Sequence, residues 1–239
     1  VLTFNIHHGE GMDRRIDLPR IARVIQSVQP DLVALQEVDR ATGRSGGVDQ
    51  LAELARLTEM HAAFGKAIDH QGGAYGVAIL SRYEIESQKT HLLPSQPDRE
   101  QRVALEVRPK LPAGPALVFV SLHLDHQLAT ERIAQVERII EIFADETRPV
   151  ILAGDFNARP ESDELARLTA KWSLSDSQEK AFTCPAEAPA YKIDYVLYPA
   201  AAAWRVQSVR VVDDSKSSDH RPLIVELVID TQQGELVPR

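Results

Sequence analysis

A single cysteine, Cys184, stands among the 239 residues. No intrachain disulfide can staple the fold, and cysteine usage does not separate the cytosol from an oxidising compartment. Aromatic residues make up only 5% of the chain, which leaves few rings on which a run of bases could stack. No apolar run approaches the roughly eighteen residues of a membrane-spanning helix. Positive charge is short as well: 27 Lys and Arg against 35 Asp and Glu give a net charge of −8. Such a chain lacks the bulk basic field that grips a polyanion, so tight non-specific nucleic-acid binding is disfavoured. There is no glycine-rich phosphate loop and no thiol cluster.

What is present is a 44% hydrophobic content, ample for a packed core, and a set of polar signatures that each close a strand-like apolar run. They are Thr3-Phe4-Asn5, Gln36-Glu37, His123, Gly154-Asp155-Phe156-Asn157, Ile193-Asp194-Tyr195 and Ser218-Asp219-His220. Carboxylates, carboxamides and imidazoles without thiols suit an oxygen-preferring divalent cation and an activated water, the chemistry of metal-assisted phosphoester hydrolysis.

Periodicity predicts a strand over Val1 to Ile6 and an amphipathic helix over Leu18 to Val28, begun by Asp17 with Pro19 in its first turn. A buried strand over Asp31 to Leu35 and a helix over Val48 to Met60 follow. Short strands are expected at Ala63 to Ile68, Val77 to Leu80, Ile85 to Leu93, Val103 to Val107 and Leu117 to Leu124. Beyond them come a helix over Ala129 to Asp145, a strand over Val150 to Ala153 and a short helix over Ser162 to Leu168. Strands at Ile193 to Leu197, Val206 to Val212 and Leu223 to Ile229 complete the pattern. Strands outnumber helices roughly two to one while helices punctuate both halves, which favours an α/β fold with sheets face to face and helices outside. No linker splits residues 1–230, read as one domain, and the one internal echo is strand, helix, strand-with-acid, ending at Glu37 and again at Asp155. Val1 already lies inside an apolar run, as expected if a leader preceded it, which would make the protein secreted or periplasmic rather than cytoplasmic. Leu236-Val237-Pro238-Arg239 looks like the remnant of an engineered protease site, so 234–239 are set apart from the fold.

Residue by residue, Asp155 and Asn157 are expected where a strand leaves its sheet, on one side of it, where carboxylate and carboxamide orient a water and a phosphate oxygen together. Read alone, the pair fits a helix cap or turn equally well. Asp219 suits a metal or a fixed water, and His220 suits a phosphate or leaving oxygen. Asp194 is the candidate to accept the other ring N–H of His220. Asn5, between Phe4 and Ile6, needs a partner if buried. His123 reads as an inward imidazole and His126 as a loop residue pointing away, a poor zinc pair.

The ordered set Asn5, Gln36-Glu37, Leu80-Ser81-Arg82, His123-Leu124, Gly154 to Asn157, Ile193 to Tyr195 and Ser218 to His220 resembles the endonuclease/exonuclease/phosphatase superfamily from Thr3 to about Val228. The resemblance implies a four-layer α/β sandwich of two mixed sheets with one or two Mg²⁺ or Mn²⁺ ions in a cleft at a sheet edge. It implies Asn5 and Glu37 as ligands of the main metal, Asp219 as a further ligand, and Asp155 with Asn157 positioning water and phosphate. His220 would bind the phosphate, with Asp194 as its orienter, and His123 would stand where the DNase and sphingomyelinase branches carry His. His7 departs from the acid that many repair members carry two residues after the Asn.

The expected activity is metal-dependent phosphoester hydrolysis by in-line attack of water, with a nuclease of the same fold or a catalytically silent binding module as alternatives. Small molecule, lipid headgroup and nucleic acid all stay open as substrate, and no obligate protein partner is evident. Trp172 or the run Ala200 to Trp204 is the candidate for an exposed membrane-facing element. Glu100 is expected to hold the His123 ring and Arg102 to reach the phosphate; the alternative for both is a solvated turn.

Overall fold

The computed structural model describes residues 1–176, 180–201 and 203–229. Twelve strands form two six-stranded sheets. The first sheet contains β1 (Leu2–Asn5), β2 (Leu32–Arg40), β3 (His61–His70), β4 (Gly73–Ser81), β11 (Trp204–Val211) and β12 (Leu223–Ile229), in the order β11-β12-β1-β2-β4-β3. The second contains β5 (Ile85–Leu92), β6 (Val103–Pro109), β7 (Val118–His123), β8 (Val150–Asp155), β9 (Trp172–Leu174) and β10 (Asp194–Pro199), in the order β5-β6-β7-β8-β10-β9.

Both sheets are mixed in the same way. β1 and β2 run parallel, joined by helix α1 (Leu18–Val28), and β7 and β8 run parallel, joined by α3 (Ala129–Ile142); every other pairing is antiparallel. The echo between the segments ending at Glu37 and Asp155 is therefore a topological one, with each unit at the centre of its own sheet.

Alternation along the strands sorts the apolar residues into three clusters and hence four layers. Leu32 and Ala34 of β2 face Phe119 of β7 and Ile151 and Ala153 of β8 in the cluster between the sheets. Val33 and Leu35 turn the other way, onto Ile21 and Ile25 of α1 and Leu51 and Leu54 of α2 (Gln50–Thr58). Val118, Val120 and Leu122 of β7 meet Val136 and Ile139 of α3 and Leu165 and Leu168 of α4 (Asp163–Thr169) on the outer face of the second sheet.

Local chemistry explains the element ends. The Asp17 side chain accepts from the Arg20 N–H at 2.9 Å, and Pro19 sits in the first turn, where a missing N–H costs nothing. β2 runs five residues further than its apolar stretch suggests, to Arg40. Gln36 stays buried because its amide joins Thr3 and Ser121, and the strand register shifts between Leu35 and Val38. Three-residue β9 carries too little pattern to be read from sequence. Trp172 and Trp204 are buried, and the Trp172 indole N–H donates to the Val150 carbonyl at 3.0 Å, so neither serves as the exposed membrane-facing ring considered from sequence. Ala202 of that run and residues 234–239 lie outside the described residues. No helix among the described residues is long and apolar enough to cross a membrane.

Candidate active site

The two parallel strand pairs end at the same edge of the sandwich, the place where α/β folds gather polar groups at strand carboxyl ends. Asn5 closes β1, Glu37 sits in the bulge of β2, His123 closes β7 and Asp155 closes β8. Asp194 starts antiparallel β10 directly opposite Asp155. The loop before β12 brings His220 to the same edge, fastened by the Ser218 hydroxyl, which donates to the Asn5 carbonyl at 2.7 Å.

Asp155 is the hub. Its Oδ1 accepts from the Asn157 N–H at 2.9 Å and its Oδ2 from Asn5 Nδ2 at 3.1 Å. Both His123 Nε2 and His220 Nε2 lie 3.7 Å from that same Oδ2. Asn5 Nδ2 also donates to Glu37 Oε1 at 3.1 Å, so one carboxamide ties the first sheet's glutamate to the second sheet's aspartate. The backbone bends to allow this: His7, His8, Glu37 and Asn157 hold left-handed φ of 46°, 44°, 59° and 48°.

Asp194 Oδ2 lies 2.9 Å from His220 Nδ1 and also accepts from Thr183 Oγ1 at 2.5 Å, while Asp194 Oδ1 is buried without a hydrogen-bond partner among the described residues. Burial works against a charge on His220, but Asp194 and then Asp155 outweigh it and hold the imidazole well above its ordinary range. Burial, with help from the Asp194 carboxylate, pushes Asp155 up to about 7 against the opposing pull of His220, Asn157 and Asn5. His123 goes the other way, kept neutral well below its usual range by burial and then by Arg102, His220 and His126.

A cavity of about 310 Å³ opens here, lined by Glu37, His123, Asp155, Asn157 and His220 at its floor. Its walls are Arg44, Ile68, His70 and Tyr75 from the first sheet's side and Glu100, Arg102 and His126 from the second's. Arg44 is held by Asp39 through two hydrogen bonds of 2.8 and 2.9 Å and lies over the Tyr75 ring at 5.2 Å.

Two sequence expectations need correction. Glu100 does not hold His123: its Oε1 lies 3.1 Å from Arg102 Nη1, and the carboxylate within ion-pair reach of His123 is Asp155. His126 does not point away, because the chain leaves the strand after His123, and its Nδ1 comes within 3.2 Å of Arg102 Nη2. Asp219, expected as a further metal ligand, is half-buried in the loop before β12, and its Oδ1 accepts from the Ser218 hydroxyl at 3.2 Å. Sequence reasoning also passed over Thr183, Arg44 and Tyr75, which come from segments whose polar residues follow no period. His7 and His8 bring ring nitrogens within 4.8 Å of the Glu37 carboxylate, a grouping invisible to a search for a second acid after Asn5.

The family model described as endonuclease/exonuclease/phosphatase matches residues 2–220. The chain belongs to that family. Members of the endonuclease/exonuclease/phosphatase family are hydrolases acting on phosphoester bonds. The uncharacterized protein YbhP of Escherichia coli is 29% identical over 244 aligned residues, covering 95% of each chain. A family structure from Beutenbergia cavernae superposes with a TM-score of 0.78 at 24% identity, covering 95% of this chain and 70% of that one. A mannosyl-6-phosphatase of Bacteroides thetaiotaomicron gives 0.77 at 19% identity, covering 95% and 98%. These two likenesses are likenesses of fold.

Proposed function

We propose that this protein is a divalent-metal-dependent hydrolase of phosphoesters in which a water attacks phosphorus in line with the departing alcohol. The observation that carries this reading is the convergence on Asp155 Oδ2 of Asn5 and two imidazoles, one of them clamped by Asp194 at 2.9 Å. A buried carboxylate raised to about 7 beside an imidazole held well above its ordinary range supports catalysis over binding alone.

The donor set fits a hard cation. The Glu37 and Asp155 carboxylates converge on the Asn5 carboxamide, the only cysteine is not in the cavity, and His7 and His8 flank Glu37. Oxygen donors with imidazole at the margin suit Mg²⁺ or, better, Mn²⁺. Asn5 and Glu37 would hold the ion, with Asp219 in the loop fastened to Asn5. When bound, it would polarise the phosphoryl oxygen and offset charge that develops there.

The chain's own residues do the rest. Asp155 accepts a proton from the attacking water, for which a pKa near neutrality is well matched. Asn157 holds water and phosphate in register. The His220 imidazolium donates to a non-bridging phosphate oxygen, and Asp194 and Thr183 keep its ring in place. Neutral His123 has one ring N–H to offer the phosphate. As the water oxygen bonds to phosphorus, the bond from phosphorus to the ester oxygen breaks, the departing oxygen takes a proton from solvent to leave as the alcohol, and Asp155 returns the proton it accepted to solvent.

The test is turnover of a panel of phosphomonoesters and phosphodiesters with Mg²⁺, Mn²⁺ or chelator. Activity with metal and none with chelator is expected. Full activity in chelator overturns the metal requirement, and inactivity across the panel with every metal overturns the hydrolase reading.

A further inference from the structure

Arg44 is held from behind and open in front. Its Nε and Nη2 donate to Asp39 Oδ2 and Oδ1 at 2.8 and 2.9 Å, onto a carboxylate with no exposed surface. The Thr42 hydroxyl fixes Asp39 in turn, donating to its Oδ2 at 2.7 Å, and the Tyr75 ring supports the guanidinium face. The loop carrying Arg44 is closed on itself. The Gly46 N–H donates to the Gly43 carbonyl at 3.1 Å and the Gly47 N–H to the Thr42 carbonyl at 2.9 Å, with both glycines at left-handed φ of 67° and 74°. Nη1 is different. It makes no hydrogen bond among the described residues, it is not a buried atom, and it belongs to a side chain that is 29% exposed and lines the cavity. Nothing in the reaction derived above uses this arginine.

Arg102, the other arginine of the cavity, is only 3% exposed, its Nε and Nη1 are buried, and its Nη2 lies 3.2 Å from His126 Nδ1. Arg44 therefore has the more open donor edge of the two. A guanidinium presents parallel N–H bonds from Nη1 and Nη2 along one edge, which fits two oxygens of one phosphate. Asp39 takes the Nε–Nη2 edge, so the Nη1–Nη2 edge is left for a ligand and is aimed before that ligand arrives. Because Asp39 is fully covered, the open edge offers a charged donor without an acceptor beside it, a combination that selects an anion over a neutral alcohol. The cavity floor carries the carboxylates of Glu37 and Asp155, which repel an anion. A phosphate resting there needs a cationic donor on the wall as well as the His220 imidazole below it.

We propose that Arg44 grips two non-bridging oxygens of the substrate phosphate through its Nη1–Nη2 edge, with Asp39 as the positioning residue that aims it. That the gripped phosphate is the one under attack rests on the hydrolase reading; the anion grip itself does not.

The experiment titrates inorganic phosphate into the protein by calorimetry, once in chelator and once with Mg²⁺. Wild type should bind it in at least one condition. Arg44→Lys, which keeps a charge beside Asp39 but lacks the fork, should weaken binding about tenfold, the loss of roughly one charge-assisted hydrogen bond. Arg44→Ala should weaken it at least as much and be partly restored by methylguanidinium, which fits the seat between Asp39 and Tyr75; a general structural loss would not be restored. Asp39→Asn should weaken phosphate binding when Arg44 is present and add little when Arg44 is already Ala. Should Arg44→Ala fail to fold because Asp39 is left unpaired, Arg44→Lys still decides. A wild type that cleaves no ester yet shows this binding pattern removes the hydrolase reading and leaves the grip standing. A wild type that binds no phosphate in either condition, wild-type affinity in Arg44→Lys, or a loss in Arg44→Ala that methylguanidinium leaves untouched overturns the grip.

Discussion

One carboxylate oxygen, Asp155 Oδ2, meets a carboxamide and two imidazoles, and this concentration sets a hierarchy among substitutions. Asp155→Asn and His220→Ala should each lower turnover by about a hundredfold or more, because each removes a preorganised charged group from the reacting phosphate. Asp194→Asn should be milder, as it loosens the ring without deleting it, and Thr183→Val milder still, as it removes one hydrogen bond behind Asp194. Steady-state kinetics of the four variants check the order; a Thr183→Val defect as deep as that of His220→Ala contradicts it.

The same contacts make stability depend on pH. The folded pKa of His220 lies above its ordinary 6.5 because Asp194 and Asp155 overcome burial. The resulting stabilisation is fully present below about 6.5 and fades as pH rises through the folded pKa. In chelator, the melting-temperature gap between wild type and His220→Gln should therefore shrink between slightly acidic and alkaline pH. His123, held neutral by burial, is present in both proteins and drops out of the comparison. A gap that widens with pH reverses the sign and removes the ion contact from the account.

His123, Asp155 and Asn157 stood out in the sequence as polar residues at the end of an apolar run, and Asp194 and His220 as polar residues at or just before the start of one. The Glu100, Arg102 and His126 contacts did not. They join chain segments with no shared period, and which pairs form depends on where each loop leaves its strand.

At the level of elements, legibility followed the strength of local signals. Helix α1 spans the residues that Asp17, Pro19 and its apolar stripe mark out, and β12 spans its apolar run. Asp17→Ala should cost about 1 kcal/mol and lower the melting temperature by a few degrees, with kcat unchanged, since the cap acts on the helix alone. β2 was underread because the partners that bury Gln36 lie on other strands. Gly154 is a sharper case. A Cβ there would lie 2.1 Å from the Leu122 carbonyl oxygen of the neighbouring strand, and backbone has little room to yield. Gly154→Ala should push β7 and β8 apart, costing ~1–3 kcal/mol or more and misplacing Asp155. Circular dichroism melts and kinetics should show both losses together, and a variant of wild-type stability would show that the strands can separate without cost.

For the molecule as a whole, three apolar clusters carry the packing. Chelation should leave a cooperative thermal transition in place even where it abolishes turnover, unlike a small zinc module that unfolds without its metal. Loss of the transition on adding chelator would make the cation part of the core.

The sheet orders also have a temporal side. The second sheet is built from one unbroken stretch, Ile85 to Pro199, whereas the first combines strands from the beginning of the chain with β11 and β12. A chain emerging from the ribosome thus has every strand of the second sheet before β1 can meet β12, which covers its open edge at Leu223 and Ile224. Until then β1 offers unpaired backbone to any passing strand, the condition under which nascent sheets aggregate. His220, three residues before β12 begins, arrives in the same closing step. Of the twelve strands, the last to be synthesised would then both seal the sheet and complete the candidate site, so a nascent chain would not display the assembled site while its first sheet was still open.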